Sequence, residues 1–243
     1  MILAFDTSTA MTSVAVTDGP TVVAQRSHVD PRKHAEVLAP MLAEVLRGLD
    51  TSRITVVACG VGPGPYTGLR VGIASALAVG ASWGLPVIGL CSLDAVAASA
   101  GTRSGPFGVA ADARRSEVYW GWYASDGSRV LGPLVTRPAE IDDEWRHGPW
   151  LGAGALAHRD VLDIDPGADG DDDGGLVFPH ASWVGRRVGD LLARGMAMTE
   201  DVAALSAHGG DGSPTSSALR GAALLPARPL YLRRPDAIEV AAR

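Results

Sequence analysis

The stretch Gly60-Val61-Gly62-Pro63-Gly64-Pro65-Tyr66-Thr67-Gly68-Leu69-Arg70-Val71-Gly72 decides how this chain is read. It joins an apolar strand, Ile54 to Cys59, to a small-residue helix expected from about Thr67 to Trp83. Alternating glycine and proline restrict the path, and Gly62, Gly64 and Gly68 are free to take positive φ. Such a strand–loop–helix junction leaves backbone N–H groups open at a helix N-terminus, a surface suited to an anion or a partner. The spacing fits neither a Walker loop, since no Gly-Lys-Ser/Thr follows, nor a dinucleotide fingerprint. A plain tight turn satisfies the same spacing, although the Pro-Gly-Pro-Tyr-Thr-Gly detail is unusual for one.

Upstream of this stretch, Ile2 to Phe5 is an apolar strand ending at Asp6 and the polar turn Thr7-Ser8-Thr9. Thr12 to Val16 alternates, Asp18-Gly19 turns the chain and Thr21 to Gln25 returns, which predicts a three-stranded antiparallel opening. Val37, Leu38, Met41, Leu42, Val45, Leu46 and Leu49 then recur at helical spacing, so a helix is expected from His34 to Leu49. Pro86 to Leu90 reads as a short strand. Past a Gly/Ser/Arg linker near Gly101 to Gly105 the plan repeats. Phe107 to Ala111 ends at Asp112, Ser116 to Tyr123 alternates, Asp126-Gly127 turns and Val130 to Val135 returns. Asp6 and Asp18 stand 12 residues apart, and Asp112 and Asp126 stand 14 apart. The same order of strand, aspartate, hairpin and helix in both halves predicts a duplicated α/β lobe. Farther on, Trp183 to Arg194 predicts an amphipathic helix, and Pro226 to Leu232 a return strand or a link back to the first lobe. Gly167 to Gly175 reads as a solvated acidic turn, because the closing Glu of a calcium loop is missing.

Composition narrows the function classes. A chain of 243 residues with 47% hydrophobic residues holds one large domain or two lobes, and its charge of −6 argues against nucleic-acid binding by bulk electrostatics. Cys59 and Cys91 each end an apolar run and read as buried free thiols, with no pattern for zinc. The histidines are scattered, and ordinary packing or surface roles are expected for them. No Gly-x-Ser-x-Gly, His-Glu-x-x-His or Cys/His arrangement supports a peptidase. No leader pattern and no spanning apolar segment are seen, so a cytoplasmic chain without a membrane partner is expected.

Taken together, the two lobes resemble the actin-like ATPase (ribonuclease H-like) fold, an α/β architecture of duplicated lobes, each a mixed sheet flanked by helices. Within it, the details are similar to the TsaB family, the non-catalytic relatives in bacterial threonylcarbamoyladenosine synthesis on tRNA. The resemblance rests on Ile2 to Thr9, His34-Ala35-Glu36, Gly62 to Gly72, Ser92-Leu93-Asp94-Ala95, Asp112 to Tyr119 and Tyr231-Leu232-Arg233. It is nearly continuous over the first half and thins after Tyr123. It implies a dimerisation or scaffold subunit that pairs with and activates the catalytic paralogue TsaD, supported by a TsaE-type ATPase and meeting tRNA through the complex. It also implies a homodimer when the chain is alone.

That resemblance sets expectations for the site. In TsaD the segment matching Cys91 to Ala95 carries paired metal-binding histidines, whereas here it holds none, so no catalytic and no metal residue is expected. Asp6, Thr7, Ser8 and Thr9 occupy the first phosphate-loop position and read as its vestige. In the second loop Ala113, Arg114 and Arg115 replace the glycines that would admit phosphate. The chain is therefore expected to need no cofactor of its own, with residual binding of ATP or ADP and Mg²⁺ left open for this chain or the complex, and a stand-alone ATPase or kinase is the alternative. The arginine pairs Arg114-Arg115, Arg186-Arg187 and Arg233-Arg234 read as solvated surface. Residues 1–103 are expected to form the lobe with the dimerisation helices, and 104–243 a smaller lobe whose last segment returns to the first. The expected partner face comprises His34, Leu38, Met41, Leu42, Val45, Arg70, Ile73 and Leu77.

Overall fold

A computed structural model describes residues 1–168, 176–198 and 224–232. The opening forms as expected: β1 (Ile2–Asp6), β2 (Met11–Asp18) and β3 (Thr21–Val29) are antiparallel neighbours, turned at Gly19 with φ +56°. Next come α1 (His34–Leu46), β4 (Val56–Gly60), α2 (Tyr66–Trp83), β5 (Val87–Leu90) and α3 (Ser92–Ser99). Helix α1 stops short of Leu49 because Arg47 leaves helical geometry and Gly48 takes φ +75°. Helix α2 ends at Gly84, whose left-handed φ of +66° lets its N–H reach the Gly80 carbonyl.

Among the described residues the first sheet runs β10-β5-β4-β1-β2-β3, where β10 is Leu225–Pro226, with β1, β4 and β5 parallel. Alternation along its strands sends side chains to two different layers. Leu3, Phe5, Val14, Val16, Val57 and Cys59 join the cluster that includes Leu38, Met41, Val45, Leu69 and Ile73 from α1 and α2. Ala4, Ala15 and Ala58 point the other way, toward Val184, Val188 and Leu191. Those three belong to α6 (Ala181–Ala193), which approaches closely because its Gly185 lies against Thr17 and Ala4.

The second lobe repeats the hairpin plan with β6 (Phe107–Asp112), β7 (Val118–Tyr123) and β8 (Arg129–Thr136), turned at Gly127 with φ +76°. Among the described residues its helices are α4 (Asp143–Arg146) and α5 (Ala153–Ala157), on either side of β9 (Trp150–Leu151). The sheet order is β8-β7-β6-β9, and Trp120, Trp122, Trp145 and Trp150 pack edge-to-face around it.

The first layer also draws on residues beyond 104. Helix α6 packs on β1, β2 and β4, and β10 (Leu225–Pro226) pairs antiparallel with β5, so both complete the first layer. The expected return strand from Pro226 to Leu232 is shorter than its apolar run, because only Leu225 and Pro226 pair with a strand. Beyond them the Leu230 N–H donates to the Val61 carbonyl at 2.8 Å, which ties the return to the glycine-rich stretch. The acidic turn around Asp171 and the pair Arg233-Arg234 lie outside the described residues.

Candidate functional site: the Asp6 turn and the helix seated on it

The first strand-end turn and the Gly60–Gly72 stretch form one packed unit. Asp6 is fully buried, and its Oδ1 accepts the Ser8 N–H at 2.8 Å and the Ser8 hydroxyl at 2.7 Å. Its Oδ2 accepts the Ser92 hydroxyl at 2.7 Å, and Ser92 Oγ in turn accepts the Gly62 N–H at 3.2 Å. Burial pushes the Asp6 carboxyl up to about 6, against the pull of the hydrogen bonds from Ser8 and Ser92. Thr7 donates its hydroxyl to the Gly68 carbonyl at 2.7 Å and accepts the Gly72 N–H at 3.0 Å.

The glycines of the motif are explained by this contact. A Cβ on Gly60 would overlap Asp6 Oδ2, on Gly64 the Ser8 carbonyl, on Gly68 the Thr7 carbonyl and on Gly72 the Thr7 hydroxyl. Four glycines along one stretch thus admit a three-residue turn at backbone contact distance. The side chains of Asp6, Thr7 and Ser8 are hydrogen-bonded to the chain's own atoms, whereas Thr9 caps the local turn through the Met11 N–H.

The expected partner face is split by the fold. Leu38, Met41, Val45 and Ile73 lie in the chain's own core, and they are corrected to packing residues: the sheet face at Phe5, Val14 and Val16 covers them. His34 is also buried, with its Nδ1 hydrogen-bonded to Thr12 Oγ1 at 2.7 Å and its pKa lowered by burial. Leu42 is half-buried, while Arg70 and Leu77 are exposed. The outward stripe of α2 runs through Tyr66, Arg70, Ala74, Leu77, Ala78 and Ala81, with Tyr66 47% and Leu77 46% exposed. At its head Arg70 lies over the Tyr66 ring, 5.1 Å from the centroid, and donates to Tyr66 Oη at 2.8 Å. Tyr231 of the return segment stacks on Tyr66 with ring centroids 5.2 Å apart. Both tyrosines stand in short motifs visible in the sequence, yet their union required the fold.

The second strand-end turn differs. Asp112 is exposed, its Oδ1 accepts the Arg114 N–H at 2.8 Å, and Arg114, Arg115 and Ser116 have φ of +62°, +55° and +58°. Neither cysteine offers a nucleophile: burial pushes the thiols of Cys59 and Cys91 up to about 12. Among the described residues no group of three His, Cys, Asp or Glu side chains could hold a metal ion, and no helix is long and apolar enough to cross a membrane.

Duplicated lobes with paired strand-end aspartates define an actin-like ATPase fold, and solved structures share it. YeaZ from Pseudomonas aeruginosa superposes with a TM-score of 0.65 at 27% identity, over 80% of this chain and 93% of that one. A second structure, described as an uncharacterized protein with similarity to peptidase YeaZ from Pseudomonas aeruginosa, has a TM-score of 0.67 at 27% identity, over 96% and 99% of the two chains.

The family follows from sequence relatives. The profile described as TsaD, tRNA N6-adenosine threonylcarbamoyltransferase, matches residues 21–154. The tRNA threonylcarbamoyladenosine biosynthesis protein TsaB of Escherichia coli is 37% identical over 161 residues, 59% of this chain and 68% of that protein. An uncharacterized protein of Mycobacterium tuberculosis is 43% identical over 162 residues, 65% of this chain and 73% of the relative. The chain belongs to the TsaB (YeaZ) family.

Proposed function

We propose that this chain is a non-catalytic subunit in the synthesis of threonylcarbamoyladenosine on tRNA, pairing through α2 with a catalytic relative of the TsaD type. A TsaE-type ATPase joins the assembly, and tRNA is met through the complex. The observation that carries this reading is the seating of α2. Gly64, Gly68 and Gly72 hold the helix against the Asp6–Thr9 turn and leave Tyr66, Arg70 and Leu77 directed outward. An aromatic and an arginine beside an exposed leucine form the kind of cluster that anchors interfaces. A second copy of the chain offers the same stripe, so homodimer and heterodimer compete for one surface. Internal use of Asp6 and Thr7 supports a structural role for the vestigial phosphate loop, and nucleotide with Mg²⁺ is assigned to the assembled complex.

The test is reconstitution of threonylcarbamoyl transfer to tRNA from purified subunits, with wild-type chain, with Leu77→Asp and without the chain. Transfer is expected to require the wild-type chain and to fall at least tenfold with Leu77→Asp, whose own folding is checked by circular dichroism. Transfer or ATP turnover by this chain alone would overturn the reading in favour of a stand-alone enzyme.

A further inference from the structure

A second candidate site lies away from both the Asp6 turn and the α2 stripe. A cavity of about 560 Å³ opens between the β2–β3 turn, the end of α3, the β7–β8 turn and α6. Strand β2 starts near the Asp6 turn and runs for 8 residues toward Gly19 at the cavity rim. That length puts the two places about 25 Å apart.

The charges around the cavity are unevenly paired. Arg187 binds Asp190 at 3.0 Å, and Asp190 also accepts from Arg194 at 2.9 Å. Asp126 accepts the Ser128 N–H at 2.9 Å and the Ser128 hydroxyl at 2.6 Å. Both acidic groups of the wall are therefore engaged. Arg186 is not: its Nε is buried without a hydrogen bond, and among the described residues no carboxylate pairs with it. Its guanidinium is held instead by stacking on Trp183, 4.6 Å from the ring centroid. That Nε is closed to solvent, so the donors Arg186 can offer the cavity are its two Nη groups, and an arginine set against an aromatic face presents them already oriented. In the same cavity Ala98 and Ala193 leave the wall with short side chains. The volume falls in the range of small-molecule sites.

We propose that this cavity binds a small organic anion, a carboxylate or a phosphate monoester. Its oxygens accept from the Arg186 Nη groups, and its body lies along the wall at Ala98 and Ala193. Geometry of this kind favours acceptors with two adjacent oxygens, carboxylate or phosphate, which an arginine engages bidentately. The site is independent of the α2 stripe, so its failure would leave the subunit reading untouched.

The experiment uses the full chain carrying 5-fluorotryptophan, with the Trp183 fluorine resonance assigned by its loss in Trp183→Phe. Benzoate, phenyl phosphate and inorganic phosphate are titrated, with phenol as the uncharged control. Saturable movement of the Trp183 resonance by benzoate or phenyl phosphate is expected, with no saturable response to phenol. The Kd should rise at least tenfold in Arg186→Gln. Ala98→Phe, which fills the cavity and leaves Arg186 in the sequence, should abolish the response and keeps the test decisive if Arg186→Gln folds poorly. Benzoate acting alone assigns a carboxylate ligand, and phenyl phosphate acting alone a phosphate monoester. A response to inorganic phosphate as tight as to either organic anion overturns the organic ligand. No saturable response, or equal affinity in Arg186→Gln, overturns the site.

Discussion

Asp6 and Asp112 end equivalent strands and begin equivalent hairpins, and each accepts the N–H two residues on at 2.8 Å. From that shared turn they diverge. Asp6 is roofed by the Gly60–Gly72 stretch and fully buried, whereas Asp112 is exposed and followed by three non-glycine residues with positive φ. A duplicated turn has thus been spent in two ways. In the first lobe glycines lie in the covering segment, so that another element can approach the turn. In the second the turn has no glycine and absorbs the conformational cost within its own backbone.

The largest test of this contrast targets the roof. Gly64→Ala drives a methyl into the Ser8 carbonyl, where neither backbone can yield cheaply. A loss of about 3 kcal/mol in urea denaturation is expected. Gly105→Ala, at a position with open space around it, should stay within about 0.5 kcal/mol. Equal effects at the two positions would mean that α2 is not seated on the turn.

The next test reads the buried carboxyl by pH. The folded-state value of Asp6 is raised from 3.8 to about 6, so the folded chain binds the proton more tightly than the unfolded one. Asp6 therefore contributes stability that is fully present below about pH 4 and is lost as pH rises through about 6. His34 opposes it: burial lowers its pKa, and its contribution is lost as pH falls from about 6.5. Asp6→Asn keeps the acceptor for Ser8 and removes the titration, so subtracting the variant isolates Asp6. Between pH 7.5 and pH 4 the difference in unfolding free energy should move in favour of wild type by on the order of 1–3 kcal/mol. A flat difference would mean that the Asp6 carboxylate is as well solvated in the folded chain as in the unfolded one.

The smallest effect is expected in the second turn. Ser116, exposed at φ +58°, should accept glycine with a gain of about 0.5 kcal/mol, strain relief narrowly exceeding the added freedom of the unfolded chain. Thermal unfolding measures it. A loss of stability would place Ser116 outside the left-handed region in solution.

Local signals carried much of this fold. Asp18-Gly19 and Asp126-Gly127 announced both hairpins because the turn chemistry is written in adjacent residues. Helical spacing located α1 and α2, but periodicity reports that a stripe is apolar and not what covers it. Leu38, Met41 and Val45 looked available to a partner until the sheet was seen to cover them. The glycines of the long motif were conspicuous as a loop, but their purpose lay in Thr7 and Ser8, about sixty residues away. Helix α6 gave no hint of its place on the first sheet, since the chain passes through the second lobe before reaching it.

Long-range pairing also hid the joint between the lobes. Arg129 of β8 grips Asp94 of α3 through Nε at 2.9 Å and Nη2 at 3.1 Å, Tyr123 donates to the same carboxylate at 2.9 Å, and all three side chains are buried. Proteins that work by opening and shutting a cleft need a joint that yields under a ligand's binding energy. Here any bending that separates Arg129 from Asp94 would strand two charges in a dry interior, a penalty of about 3–5 kcal/mol. In mechanical terms the joint is a brace that resists bending between α3 and β8.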